Sequence, residues 1–137
     1  MESFLEIAKG TLDGILFEKQ YDTLLASLQG SDEWYAAEFN HEHMQFTKLA
    51  EHEVKEKLVA LRNEVKNRNK HNTFPFTYFK NNPTPIFIKL YDPARCGSSC
   101  SLTKPDPWWI FTKILPDEKE LKEAFPPPAK KRYSFFS

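Results

Sequence analysis

A chain of 137 residues with 19 basic and 19 acidic side chains, 40% hydrophobic and 28% charged, has the make-up of a folded protein and excludes wholesale disorder. No apolar run reaches the roughly 20 residues a membrane span needs, no basic-then-apolar leader opens the chain, and with only 4 Gly tight backbone cradles for nucleotide phosphates are not expected. The neutral total hides an asymmetry: residues 1–68 carry 8 Lys+Arg against 13 Asp+Glu, net −5, and residues 69–137 carry 11 against 6, net +5, so the two halves should present surfaces of opposite sign.

From Ser3 to about Leu28 the apolar residues Phe4, Ile7, Ala8, Leu12, Ile15 and Leu16, then Tyr21, Leu24, Leu25 and Leu28, recur at helical spacing. Gly10 and Gly14 weaken the first part and, four residues apart, would share a helix face suited to close backbone approach. Gly30 ends this segment. Ser31 to Arg68 contains no Gly or Pro, and Tyr35, Phe39, Phe46, Leu49, Val54, Leu58, Leu61 and Val65 step by fours, threes and sevens with one five-residue step after Leu49. That pattern predicts one long helix of about 55 Å, folded back on the first segment as an antiparallel hairpin. Such a rod is longer than a domain of this mass needs, so part of it is expected to be covered by a partner.

The Asn-rich run Asn67–Asn72 closes the helical half, and beyond it the period changes from 3.6 to 2. Phe74–Phe79 reads as an edge strand because Pro75 cannot donate to a ladder. Asn81-Asn82-Pro83 is a turn; Ile86–Tyr91 and Trp108–Ile114 are further strands. Pro116-Asp117-Glu118 opens a short helix to about Phe125, which Pro126-Pro127-Pro128 ends. The expected fold is α+β: an N-terminal antiparallel helical hairpin with one long helix, a small three-stranded antiparallel sheet and a short C-terminal helix. One domain is expected over 1–137, divided into the hairpin (1–68), a β-rich half (69–125) and a Pro-rich, basic and aromatic tail (126–137).

The chemistry-bearing residues are sparse. His41 and His43, two apart on a helix, would point in different directions and cannot share one ion. Cys96 and Cys100 form one pair with three residues between, half of what a thiolate metal site needs. They are best read as packing in a small-residue turn, with a metal pair completed by His71 and a helix histidine as the alternative and a local bridge also open. No Gly-rich phosphate loop, Gly-x-Ser-x-Gly elbow, His-Glu-x-x-His helix or EF-hand loop occurs, so neither an enzyme nor a cofactor is expected.

The long loop Asp92–Pro107 holds Arg95 and Lys104 and leads into Trp108-Trp109. Neighbours in a strand face opposite ways, so one tryptophan should be core and the other, Trp109, exposed. The function expected is a non-catalytic protein-binding or self-association module. Its contacts would be Tyr35, Phe39 and Phe46 on the rod and Phe87, Trp109 and Phe111 on the sheet. The alternative is an RNA- or DNA-binding module in which Lys89, Lys113, Arg95 and Lys104 accompany Tyr91, the sheet strands being phased so that Lys89 and Lys113 share a face with Phe87, Tyr91, Trp109 and Phe111. No membrane partner is expected, and the setting expected is intracellular, cytoplasmic or nuclear.

Overall fold

The computed structural model describes residues 3–40, 42–68, 74–96 and 106–126. Its first elements already depart from the hairpin. Helix α1 (Phe4–Lys9) is opened by a capping box, in which the Ser3 side chain accepts from the Glu6 backbone and the Glu6 side chain accepts from Ser3 N–H. It stops at Gly10, where a Cβ would lie 2.8 Å from the Glu6 carbonyl oxygen. Strand β1 (Asp13–Gly14) follows, then helix α2 (Glu18–Ser27), whose N-terminus is tied by Gln20 accepting from the Leu16 and Phe17 amides.

The rod expected over Ser31–Arg68 is three elements: strand β2 (Glu33–Glu38), strand β3 (Thr47–Ala50) and helix α3 (Glu51–Arg68). Steps of four misled here, because four is a multiple of the strand period as well as close to one helical turn. Tyr35 and Phe39 share a face either way. The β2–β3 connection turns without Gly or Pro because Asn40 Oδ1 accepts from the amides of Glu42 (2.8 Å) and His43 (3.2 Å), a side-chain mimic of a backbone turn. The five-residue step between Leu49 and Val54 falls where β3 hands over to α3. At about 27 Å for its 18 residues, α3 is half the expected length, and its stripe of Val54, Leu58, Leu61 and Val65 is buried by the chain itself.

Strands β4 (Phe76–Asn81), β5 (Pro85–Tyr91) and β6 (Trp109–Thr112) are the three that the period of two predicts, with the single turn α4 (Pro93–Cys96) after β5. The Asn82–Pro83 peptide in the β4–β5 turn is cis. These three do not form a sheet of their own, as expected above. They are the centre of a six-stranded antiparallel sheet in the order β1-β4-β5-β6-β2-β3, so strands from the N-terminal half extend it on both sides. β4, expected at an edge, is flanked by β1 through Asp13↔Phe79 and Gly14↔Tyr78. Helix α5 (Glu118–Ala124) stands where expected, with Asp117 as N-cap of a second capping box.

Helices pack on both faces of the sheet. On one, α2 and α3 pack Tyr21, Leu24, Val54, Leu58 and Val65 against Trp34, Ile88, Leu90 and Phe111. On the other, Phe4 and Ile7 of α1 and Leu121 and Phe125 at α5 pack over Phe87 and Ile110, and α1 is linked to α5 by Leu5 N–H donating to Glu120 Oε2 (3.2 Å). On the first face Tyr21 is fully buried and donates its hydroxyl to the Leu58 carbonyl at 2.7 Å. Burial holds the phenol well above the ordinary tyrosine value, against a smaller opposing pull from Arg62. Because the folded protein keeps a proton that the unfolded chain gives up, the stabilisation is whole below about pH 10 and is lost as pH rises beyond it. Tyr21→Phe should therefore cost about 1 kcal/mol at neutral pH and flatten the alkaline fall in stability, as read from urea midpoints between pH 8 and 11.

Candidate functional site

The register of the central strands decides which residues can act together. Ile88 stands opposite Phe111 and Leu90 opposite Trp109, whereas Lys89 stands opposite Ile110 and Phe87 opposite Thr112. Directly opposed residues share a face. Trp109 and Phe111 therefore lie on the α3 side, and Phe87, Lys89 and Tyr91 on the α1/α5 side. The single aromatic and basic face of the sequence reading is thus two faces. A shift of one residue in the β5–β6 pairing exchanges them, and nothing in the alternation of either strand alone fixes that shift.

Taken one by one, the expected contact residues divide. Phe87 and Phe111 are fully buried, one in each core. Trp109 is half-buried rather than exposed; it stacks on Phe111 (centroids 5.9 Å, 19° between planes) and Lys57 Nζ sits 4.3 Å above its ring. Tyr35, Phe39 and Phe46 are half-buried, the last two packed against the α1/α5 core. Lys113 is held on the α3 side, 2.7 Å from Asp32 and 3.6 Å from Glu51, above the Trp34 ring. The side chains of Arg95 and Cys96, with Lys104, Cys100, His41, His71 and the tail 127–137, lie outside the described residues.

What remains uncovered on the α1/α5 side is the row that sequence reasoning passed over. Phe76 and Tyr78 are 45% and 40% exposed, and β4 places them on the same face as Lys89 and Tyr91 through the pairs Phe76↔Tyr91 and Tyr78↔Lys89. Their alternation with the buried Thr77 was the available signal. They line a groove of about 770 Å3 with Lys9 at the end of α1, Gly10 and Leu12 after it, Phe125 and Pro126 after α5, Phe39, Asp106 and Pro107.

The rings in this groove are set by their neighbours. Tyr78 lies over Gly14, where a Cβ would come within 3.2 Å of its ring, so the one residue without a side chain supplies its bed. Tyr78 meets Tyr91 edge to face (5.8 Å, 87°), and Phe39 meets Phe125 likewise (5.3 Å, 74°). Lys89 Nζ is 5.4 Å from the Tyr91 ring centre, within cation–π range. The described lining offers rings, two ammonium groups and one carboxylate, a set suited to contact and orientation.

A second hollow, of about 710 Å3, opens beside Trp109 and is lined by Glu38, Asn40, His43, Gln45 and Lys57. Phe39 lines both, standing at the end of β2 where its amide donates to the Trp108 carbonyl (2.9 Å). Among the described residues no three His, Cys, Asp or Glu side chains gather as a metal site, and no helix is long and apolar enough to cross a membrane. Comparison of the chain with protein-family models, with curated proteins and with solved structures gave no significant match.

Proposed function

We propose that this protein is a non-catalytic interaction module that takes up a segment of another protein in the groove over Phe76, Tyr78 and Tyr91. The observation that carries the reading is this exposed row of rings on a sheet face whose remaining area is roofed by α1 and α5. Large rings left in water beside pre-set neighbours are the anchors that dominate protein interfaces. The helical part of the expected surface is set aside, because the α3 stripe is already covered by the sheet. The setting proposed is intracellular.

The nucleic-acid alternative keeps Tyr91 and Lys89 in the same groove but loses Lys113 to Asp32 and Glu51. Panning a displayed peptide library on the wild-type protein and on Tyr78→Ala tests the choice. Peptides that bind the wild type and lose about tenfold or more in affinity on the variant support the reading. An empty library, with a short single strand that binds at low salt and is released steeply as salt rises, overturns it.

A further inference from the structure

Which protein segment fits follows from what the groove lacks and from how its rings are spaced. The groove crosses the face of the sheet at β4 and β5, and β5 is hydrogen-bonded on both sides by β4 and β6. At β5 it has no open ladder to offer an added strand, and the outer side of β4 is paired at Tyr78 and Phe79. An occupant must therefore be a backbone that does not depend on the host for its hydrogen bonds. Polyproline II is such a backbone, solvated along its length and pre-ordered by its prolines. Its side chains recur every third residue, about 9.3 Å apart.

One ring of each edge-to-face pair, Tyr91 of Tyr78–Tyr91 and Phe39 of Phe39–Phe125, stands on a strand spacing close to that repeat. Tyr91 ends β5 and Phe39 follows the last residue of β2, with β6 between them. The backbone links Trp108 N–H to Leu90 O (2.6 Å) and Phe39 N–H to Trp108 O (2.9 Å) put both at the same end of the sheet. Two inter-strand spacings separate them, about 9.5 Å. The Trp108 side chain packs into the α3-side core, and the buried Pro107 lines the groove instead. Among the described lining residues, Lys9 and Lys89 against Asp106 leave a net positive charge.

We infer that the groove binds a proline-containing segment in polyproline II form, with prolines three residues apart seated at Tyr91 and Phe39 and acidic residues beside them. This rests on the reading of the groove as a protein-binding site. The chain's own continuation past Pro126 has Pro127 and Pro128 but also Lys130, Lys131 and Arg132, the wrong sign for this rim, so the segment belongs to another molecule.

The test is a calorimetric titration of the full chain with a synthetic twelve-residue peptide carrying Pro-x-x-Pro flanked by Asp and Glu. Parallel titrations use the same peptide with both prolines replaced by Ala, and with its acids replaced by Lys. Expected are saturable binding of the first peptide, a loss of about tenfold on removing the prolines, and weakening on reversing the peptide charge. Lys9→Glu, an exposed change at the end of α1, should weaken the acidic peptide and restore the Lys-flanked one, a rescue that misfolding would not give. If the Ala peptide binds as well as the Pro peptide and Tyr78→Ala abolishes both, the polyproline inference is overturned while the protein-binding reading stands. If neither these peptides nor a displayed library binds, both fall.

Discussion

Replacing Glu51 with Ala should lower the stability of the protein by about 3 kcal/mol, read as a fall in the urea midpoint followed by tryptophan fluorescence. The carboxylate is 3% exposed at the first turn of α3, and each of its oxygens is engaged. Oε2 accepts from the Gly30 amide at 2.7 Å; Oε1 accepts from Trp34 Nε1 at 2.9 Å and lies 3.6 Å from Lys113 Nζ. The side chain thus ties the end of the α2–β2 connection, the largest fully buried ring and the start of α3 to one point. Truncation leaves the buried Trp34 Nε1–H and the more exposed Gly30 amide without their acceptor and removes one of the two carboxylates facing Lys113, the other being Asp32. Glu51→Gln keeps the shape but sets an amide donor against one of the two N–H groups, so about half the loss should persist. A loss below about 1 kcal/mol for Glu51→Ala would mean that the site rehydrates and that the node is not structural.

Leu58→Ala should cost a comparable amount, about 3 kcal/mol. Leu58 is fully buried at the middle of α3 against α2 and the sheet, and its carbonyl accepts the Tyr21 hydroxyl. The size of this loss separates the two descriptions of the α3 stripe. A stripe waiting for a partner would give a change within about 0.5 kcal/mol in the isolated protein, and the loss would appear only in the complex. A stripe that is core gives the full loss in the free chain. Chemical denaturation of Leu58→Ala beside Val59→Ala, a half-buried neighbour on the same helix, provides the internal reference.

The α+β class was legible from the change of period near Asn69, and so were β4, β5, β6 and α5, because each is bounded by residues with one structural habit: Pro75, Asn82-Pro83, Pro107 and Asp117. The first half carried no such punctuation. Residues 31–50 read as helix in the sequence because Tyr35 and Phe39 fit two periods at once, and because the turn at Asn40 is made by a side chain rather than by Gly or Pro. Trp34 was the overlooked warning. The largest fully buried side chain in the fold stood beside the helical stripe and not on it, whereas in a strand it alternates naturally with Tyr35. The grooves were out of reach for a different reason: strand register is a relation between distant segments, and the pattern within one segment does not contain it.

The order of the strands also bears on how the polypeptide can be made. β6 is threaded between β5 and β2, so the hairpin of β2 and β3 has no inner neighbour until residues 109–112 have left the ribosome. Until then Trp34 and the α3 stripe lack Phe111, Trp108 and Trp109 from the sheet side, and closure of the sheet waits on contacts between segments far apart in the chain, a slow kind of step. An mRNA that stops before Trp109 yields two patches of sheet with nothing to join them. The keystone of this architecture is therefore synthesised after the five strands it joins.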